Sequence, residues 1–365
     1  MNDTSLQRER LEKPTLVYPF EAPPETGNMI EVAPGVVWMR MPLPFVLNHI
    51  NIWGLEDDGG WAVVDTGMGT DATLAAWRAL FANYANAGNA ANAPDQRSLS
   101  RIFVTHMHPD HVGMAGWLTR KFNCRLWMTR LEYLNCRVLT ADTGRKAPDE
   151  GVAFFRQAGW SDAAIENYQA RFGKFGKYIH ALPDSYRRMT DGEDIRIGAN
   201  TWRVIVGTGH SPEHACLYCA DLKLLISGDQ VLPRISSNVS VHPTEPDADP
   251  MSDWMASLAK IKREVPDDVL VLPAHNDCFR GLHARLDYLA ASQERSLDRL
   301  RKSLREPKRA VDVFAALFGR SIDETDGGLL NLATGESLAC LNYLMHRGEV
   351  RREVDASGVA RYQAV

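Results

Sequence analysis

The chain of 365 residues has an ordinary globular composition, with 45% hydrophobic and 24% charged residues. This composition excludes disordered, collagen-like and coiled-coil proteins, and the length favours one large domain with an appendage. A formal net charge of −5 argues against a protein built mainly to coat nucleic acid. Six cysteines are no disulfide framework in so long a chain, and the polar start lacks the apolar core of a signal peptide. We therefore expect a cytoplasmic protein without a membrane partner.

Short β runs dominate the first third of the chain, where apolar residues alternate between turn signals. The pattern predicts strands at 36–40, 45–53, 61–65 and 101–105. Between the last two strands we expect a helix at 71–84 with Asp71 as its N-cap, followed by a loop at 85–96.

Residues 130–190 interrupt this β rhythm with three predicted helices, at 131–139, 151–158 and 162–172. An insertion of this size is typical of a lid, a pocket wall or a dimer surface, and the sequence does not choose among them. Strands and one helix then resume, with strands at 195–197, 202–208, 217–219, 224–227 and 269–273 and the helix at 254–263.

The last portion of the chain is predicted to be helical and to end in a β-hairpin. The helices fall at 282–304, 310–317 and 334–347, and the hairpin strands at 350–354 and 359–363. Helices followed by a hairpin are the order of elements in a winged-helix module. We therefore divide the chain into an irregular segment (1–29), an α/β domain (30–285) and a small winged-helix-like C-terminal domain (286–365). Either the helical insertion or this last domain could form a homodimer.

The most informative stretch contains three histidines and an aspartate directly after an apolar strand: His106, His108, Asp110 and His111. Imidazole nitrogen and carboxylate oxygen are the ligands that zinc and similar divalent ions prefer. In an extended chain, His106 and His108 project the same way, whereas Asp110 and His111 follow on a turn and can face a second ion.

One such cluster cannot complete two metal sites, so further ligands must come from elsewhere in the chain. Three candidates follow other predicted strands, each with Gly, Pro or Ala beside it: His210, Asp229 and His275. Each is weak evidence alone, because a single loop histidine is more often solvated than ligating. Together, four strand ends that offer the same chemistry make coincidence improbable.

These motifs resemble those of the metallo-β-lactamase-fold hydrolases, in which an αββα sandwich carries a metal site at the sheet edges. Residues 106–111 match the family's H-x-H-x-D-H signature, and the resemblance covers roughly residues 30–285. It implies that His106, His108 and His210 bind one ion, that Asp110, His111 and His275 bind a second, and that Asp229 bridges the two. Asp65 would orient a ligand by hydrogen bonds without touching metal.

The resemblance also implies a mechanism, in which a hydroxide that bridges two divalent ions attacks the substrate carbonyl. Asp110 would accept and later return the proton, and the ions would be zinc, with manganese or iron as alternatives. The sequence is similar to the glyoxalase II, thioesterase and RNase-like branches, so a small thioester, ester or lactone is the expected substrate. True β-lactamases often carry Cys where this chain has Asp229. The alternative is a phosphodiesterase or ribonuclease that holds nucleic acid on its winged helix, which the nearly neutral tail disfavours.

Several residues near the motifs are candidates for supporting roles. His214, four residues after His210, is expected to form hydrogen bonds behind the ligands, whereas His49 is given no role. Four residues that follow Asp229 or His275 are candidates for substrate contacts: Arg234, Asn238, His242 and Arg280. The pair Cys216 and Cys219 is predicted to be two buried thiols without metal or redox chemistry.

Overall fold

The computed structural model describes residues 12–86 and 99–365, so most of the predicted loop at 85–96 lies outside the described residues. The strands are β1 Met29–Ala33, β2 Val36–Pro42, β3 His49–Asp57, β4 Gly60–Val64, β5 Leu99–Phe103, β6 Arg125–Met128, β7 Arg187–Arg188, β8 Asp194–Ile197, β9 Asn200–Gly207, β10 His214–Cys219, β11 Leu224–Gly228, β12 Leu270–Pro273, β13 Val350–Val354 and β14 Ala360–Ala364. The helices are α1 Asp71–Asn86, α2 Pro109–Val112, α3 Ala115–Phe122, α4 Arg130–Ala141, α5 Asp149–Ala158, α6 Asp162–Arg171, α7 Pro250–Glu264, α8 Leu282–Ser303, α9 Phe314–Phe318 and α10 Gly327–His346. Two 3-10 turns lie at Phe175–Tyr178 and Ala310–Val313.

Two sheets form the centre of the fold. The first contains seven strands in the order β1 to β7, antiparallel as far as β4 and parallel from β4 to β7. The second contains five strands in the order β12-β11-β10-β9-β8, and only its β11–β12 pair is parallel. Strands β5, β9, β11 and β12 are the ones whose carboxyl ends lead into the candidate ligands.

Apolar residues are divided among three cores, which define the layers. One core lies between the sheets and includes Trp38, Trp53 and Trp202. A second core lies beneath α1, α3 and α4 and includes Val37 and Met39, the neighbours of Trp38 on β2. They face the opposite side of the sheet from Trp38 because successive side chains of a strand alternate between its faces. A third core covers the outer face of the second sheet with α7, α8 and the C-terminal helices. The layers are therefore helix, sheet, sheet, helix, which confirms the predicted αββα sandwich.

Three local predictions are corrected by the structure. Asp71 is the first helical residue rather than the N-cap, because the Thr70 hydroxyl accepts the Thr73 N–H at 3.2 Å. The strand predicted to begin at Phe45 begins at His49, since residues 43–48 form a turn closed by the Leu43 N–H and the Asn48 carbonyl (2.9 Å). The helix expected at 334–347 begins at Gly327, where the Asp326 carboxylate caps it.

The C-terminal helices and hairpin pack directly on the sandwich. The predicted boundary at 285/286 falls inside α8, which runs without interruption from one region to the other. Leu300, Leu341 and Tyr362 belong to the same core as the residues of α7. The C-terminal region is therefore an integral wall of the second helical layer. Among the described residues, no helix combines the length and the apolar character needed to cross a membrane.

Candidate metal centre

The candidate ligands lie on four loops at one edge of the two sheets. His106 to His111 follow β5 and include α2, His210 follows β9, Asp229 follows β11 and His275 follows β12. The hydrogen bonds from the Ala215 N–H to Thr105 O (2.8 Å) and from the Ala274 N–H to Gly228 O (3.0 Å) join these strand ends. Residues more than 160 positions apart in the chain thus reach one place.

A first group brings His106, His108, His210 and Asp229 together, with one ligand atom from each within 4.8 Å of all the others. His106 Nε2 lies 2.8 Å from His108 Nδ1 and 3.3 Å from His210 Nε2. Asp229 Oδ2 lies 3.5 Å from His210 Nε2. Three imidazoles and a carboxylate therefore converge on one point.

A second group contains Asp110, His111 and His275 and meets the same distance criterion. Asp110 Oδ2 lies 3.3 Å from His275 Nε2 and 3.6 Å from His111 Nε2. Asp229 reaches this group as well, at 3.3 Å from His275 and 3.5 Å from His111. Asp229 is thus the residue that faces both groups.

Backbone and carboxylate acceptors orient the histidine rings. Nδ1 of His210 is 2.7 Å from the Asn238 carbonyl, Nδ1 of His275 is 2.9 Å from the His49 carbonyl, and Nδ1 of His111 is 2.8 Å from Asp65. A carbonyl can only accept, so Nδ1 of His210 and of His275 carries a proton, and Nε2 is the atom that faces the cluster and offers a lone pair when the ring is neutral. This is the arrangement that ligating histidines use in metal sites.

The donor set fits divalent cations. The Thr105 hydroxyl, which donates to Asp65, can accept from His106 Nδ1 (3.1 Å), and this leaves a lone pair on His106 Nε2 as well. Two such lone pairs 3.3 Å apart, on His106 and His210, repel each other unless a cation lies between them. His111 Nε2 and Asp229 Oδ1 are buried and have no hydrogen-bond partner. Both atoms are therefore available to ligate a cation.

Charge differs between the two groups. Burial, reinforced by the neighbouring histidines, lowers the pKa of His106 well below its ordinary value and that of His108 to about 3, so both rings are neutral. Burial also opposes a charged His275, yet Asp229 and Asp110 raise its pKa to about 10. The carboxylates of the second group thus favour a positive charge beside them, which is a proton on His275 in the metal-free chain, while the first group offers neutral nitrogens.

Asp65 lies behind the cluster and contacts it through hydrogen bonds. Its carboxylate accepts from the Thr105 N–H (2.8 Å) and the Thr105 hydroxyl (2.9 Å to Oδ2) and contacts His111. Its backbone adopts φ +62°, a left-handed conformation that is costly for a residue other than glycine. The cost is offset by the three contacts that fix the base of the ligand loop.

Two other histidines support the cluster. Nε2 of His214 accepts the Asp229 N–H at 3.0 Å, so this ring holds the backbone of Asp229 in place. His49, to which the sequence gave no role, binds His275 through its carbonyl and accepts the Asn276 N–H on Nε2 at 3.1 Å. A hairpin residue that acts mainly through its backbone carries no local sequence signal.

Glu132 is a second site residue that the sequence did not indicate. It lies on α4, is fully buried, and accepts the Met107 N–H on one carboxylate oxygen (2.8 Å) and the Glu213 N–H on the other (2.7 Å). Met107 lies between His106 and His108, and Glu213 lies three residues after His210. One carboxylate of the helical insertion therefore ties two ligand loops together.

Asn238, a candidate for substrate contact, faces the C-terminal helix instead. Its carbonyl binds His210, while its side-chain amide donates to Glu336 of α10 at 2.9 Å. Val241 N–H donates to Gly335 O at 3.0 Å, which fastens the same loop to α10. The C-terminal helix thus reaches the metal centre through one intermediate residue.

The remaining three candidates for substrate contacts differ in position. Arg234 forms an ion pair with Asp277 (2.9 Å) two residues after His275, so its charge is already neutralised at the rim. His242 is solvent-exposed. Arg280 lies at the amino end of β12, bound to the Asp268 carbonyl (3.0 Å), whereas His275 follows the carboxyl end. The structure therefore does not bring Arg280 to the cluster.

The fold and the site agree with comparisons to known proteins. Residues 46–275 match the metallo-beta-lactamase superfamily, and residues 297–365 match the metallo-beta-lactamase-like C-terminal domain. The chain belongs to the metallo-beta-lactamase superfamily. The C-terminal match also shows that the second region accompanies this fold in other proteins.

Two solved structures resemble this superfamily member over nearly its whole length. A beta-lactamase domain protein from Burkholderia ambifaria is 38% identical, with a TM-score of 0.84 over 96% of this chain and 98% of that one. A metallo-beta-lactamase family protein from Thermus thermophilus is 25% identical, with a TM-score of 0.73 over 92% and 100% of the two chains.

Two curated relatives are named as thioesterases. An atrochrysone carboxyl ACP thioesterase from Aspergillus fumigatus is 28% identical over 72% of this chain, which spans 46% of that protein's length. A protein of the same activity from Cryptosporiopsis is 22% identical over 85% of this chain and 79% of its own. Superfamily membership and these thioesterases support the classification of the chain as a hydrolase.

Proposed function

We propose that this protein is a thioesterase that uses two divalent metal ions. The observation that carries the proposal is the convergence of seven side chains into two adjacent ligand groups that share Asp229. The thioesterase names of two relatives support the substrate class. Imidazole and carboxylate ligands fit zinc, and they also accept manganese and iron.

The ligand assignment follows the two groups. His106, His108 and His210 would hold one ion, Asp110, His111 and His275 the other, and Asp229 would contact both. When bound, the ions would activate water and polarise the carbonyl of the substrate. The protein supplies oriented imidazoles, which Asn238, His49 and Asp65 hold by their Nδ1 atoms.

Asp110 is the residue best placed to move a proton. Its side chain keeps 22% of its surface exposed, against 11% for Asp229, so it faces the open side of the cluster. As a carboxylate, Asp110 would accept the proton that water loses and then return it to the leaving thiolate.

The rim of the site favours an acyl substrate. Phe45 and Val46 project from the turn before His49 and are exposed, Phe45 by 58% and Val46 completely. Because the His49 carbonyl binds His275, this turn adjoins the second ligand group. Exposed apolar side chains at this position would contact the hydrocarbon part of an acyl group.

A substrate panel tests the proposal. The zinc-loaded protein would be assayed with acyl N-acetylcysteamine thioesters, p-nitrophenyl esters, lactones and bis-p-nitrophenyl phosphate at equal concentration. We expect the highest kcat/KM for a thioester. Preferential cleavage of the phosphodiester, or equal rates in metal-free and metal-loaded protein, would contradict the proposal.

His108→Ala and His283→Ala provide a matched pair for this assay. His108 belongs to the first ligand group, whereas His283 binds the Val265 carbonyl away from the cluster (2.8 Å). The His108 variant should lose hydrolysis and the His283 variant should retain it. Equal activity in the two variants would exclude the cluster as the site of the reaction.

A further inference from the structure

Helix α4 carries a stripe of apolar side chains that faces solvent. Leu131, Leu134 and Val138 are 42%, 48% and 59% exposed, and their spacing of three and four residues places them on one side of the helix. The opposite side of α4 is buried and includes Glu132, Tyr133 and Cys136. We call Leu131, Leu134 and Val138, together with Arg130 and Arg137 beside them, the outer face of α4. Contiguous apolar surface of this kind is typical of a binding site for another macromolecule.

Basic side chains border this stripe. Arg130 and Arg137 are exposed along one flank, where Arg137 also pairs with the exposed Asp184 (3.0 Å). The carboxylate within α4, Glu132, is buried on the other side of the helix. The 3-10 turn at Phe175–Tyr178 packs against the carboxyl half of α4 and exposes Lys174 and Lys177 nearby. This local charge contrasts with the net charge of −5 for the whole chain.

The outer face begins beside the candidate metal centre. The Leu131 N–H donates to the Glu213 carboxylate at 2.8 Å, and Glu213 lies three residues after His210. The next residue, Glu132, binds the Met107 N–H between His106 and His108. A macromolecule bound along α4 would therefore lie next to the opening of the site.

We propose that the outer face of α4 is the docking surface for an acidic acyl carrier protein that delivers its thioester to the metal centre; this rests on the proposed thioesterase function. Acidic side chains of the carrier would pair with the arginines, and its apolar residues would cover the leucines and the valine. Apolar contacts with a complementary charged rim are the composition of transient protein interfaces. A substrate attached to a carrier requires such a surface outside the catalytic centre.

The test compares one acyl group on two thiols. The acyl group cleaved fastest in the panel would be loaded on a bacterial acyl carrier protein and, separately, on N-acetylcysteamine. Arg130→Glu and Leu134→Asp should each lower kcat/KM for the carrier-linked thioester about 10-fold, because rim charges and buried anchors control association. Neither variant should change hydrolysis of the small thioester. Added salt should weaken hydrolysis of the carrier-linked substrate in the wild type.

Arg156→Glu is the matched control. Arg156 is an exposed arginine (62%) on α5, and α5 belongs to the other helical layer, away from α4. It should leave both rates unchanged, and thermal unfolding should confirm that all three variants fold. If the small thioester is cleaved but both outer-face variants act on the carrier as the wild type does, the docking surface is wrong and the thioesterase proposal stands. If neither thioester is cleaved, the thioesterase proposal itself fails. A wild-type dimer in sedimentation that Leu134→Asp converts to a monomer would assign this face to a second copy and overturn carrier docking.

Discussion

The loops that carry the candidate ligands and the two helices that brace them, α4 and α10, contribute to the site in different ways. The loops supply every side chain of the two ligand groups. The helices supply Glu132 and Glu336, which contact neither group directly and act through Met107, Glu213 and Asn238. The chemistry of the site is thus local to strand ends, whereas its geometry depends on segments added outside the sandwich.

The largest effect should come from the loops, through Asp110→Asn. The amide keeps the shape of the side chain but cannot accept a proton, so we expect kcat to fall about 10²–10⁴-fold. The measurement is steady-state hydrolysis of the best thioester, with bound metal determined in parallel. A kcat close to that of the wild type at full metal content would remove Asp110 from the proton transfer.

A smaller effect should come from the bracing helix α4, through Glu132→Gln. An amide group would replace one carboxylate oxygen and turn its N–H toward a backbone N–H, so one of the two ligand loops would lose its acceptor. Outer-shell partners typically change metal affinity or activity about 10–100-fold, and we expect a loss in this range.

Chelator competition measures this affinity without an activity assay. Glu166→Gln, an exposed residue on α6, serves as the control and should bind metal as the wild type does. If Glu132→Gln binds metal as tightly as that control, α4 does not position the ligands, and the different roles assigned to the loops and to the two helices are wrong.

The bracing helix α10 should matter less for metal and more for stability, which Asn238→Ala tests. The variant keeps the carbonyl that orients His210 but removes the amide that donates to Glu336. Leaving this largely buried carboxylate without its partner should lower the free energy of unfolding by about 1–3 kcal/mol. Chemical denaturation measures the change, and unchanged stability would show that the contact between the loop and α10 is dispensable.

The last effect is a pH dependence of stability that arises from Glu336. Burial raises its pKa from 4.5 to about 7, against the opposing hydrogen bond from Asn238. The folded state therefore holds this proton more tightly than the unfolded state, and the free energy of unfolding decreases as the pH rises from 4.5 to 7. Glu336→Gln should show a flatter profile than the wild type over this interval. Superimposable slopes in denaturation at several pH values would contradict it.

The sequence predicted the ligand loops of the site but not the residues that the helices contribute to it. The spacing of His106, His108, Asp110 and His111 is a local signal, and the strands before His210, Asp229 and His275 show as apolar runs. The resemblance that these motifs carry implied the αββα sandwich, and the apolar runs marked the positions from which the ligands emerge. Glu132 could not, because an acidic residue on an amphipathic helix is usually solvated and only the tertiary fold turns it inward.

Two candidates for substrate contact lie where the tertiary fold, and not the chain order, places them. Asn238 follows Asp229, but its side chain binds Glu336 of α10, at a sequence separation of 98. Arg280 follows His275, but the chain turns back along β12, where Phe279 pairs with Val271. A residue that follows a ligand in the chain therefore lies at the site only if the backbone does not turn away first.

Equilibrium zinc binding to the metal-free protein tests the central claim most directly. The account predicts two zinc ions per chain in the wild type, one in His210→Ala and one in His275→Ala, because each variant damages only one ligand group. A wild-type chain that binds a single ion, or variants that both retain two, would contradict the assignment of seven side chains to two adjacent metal sites.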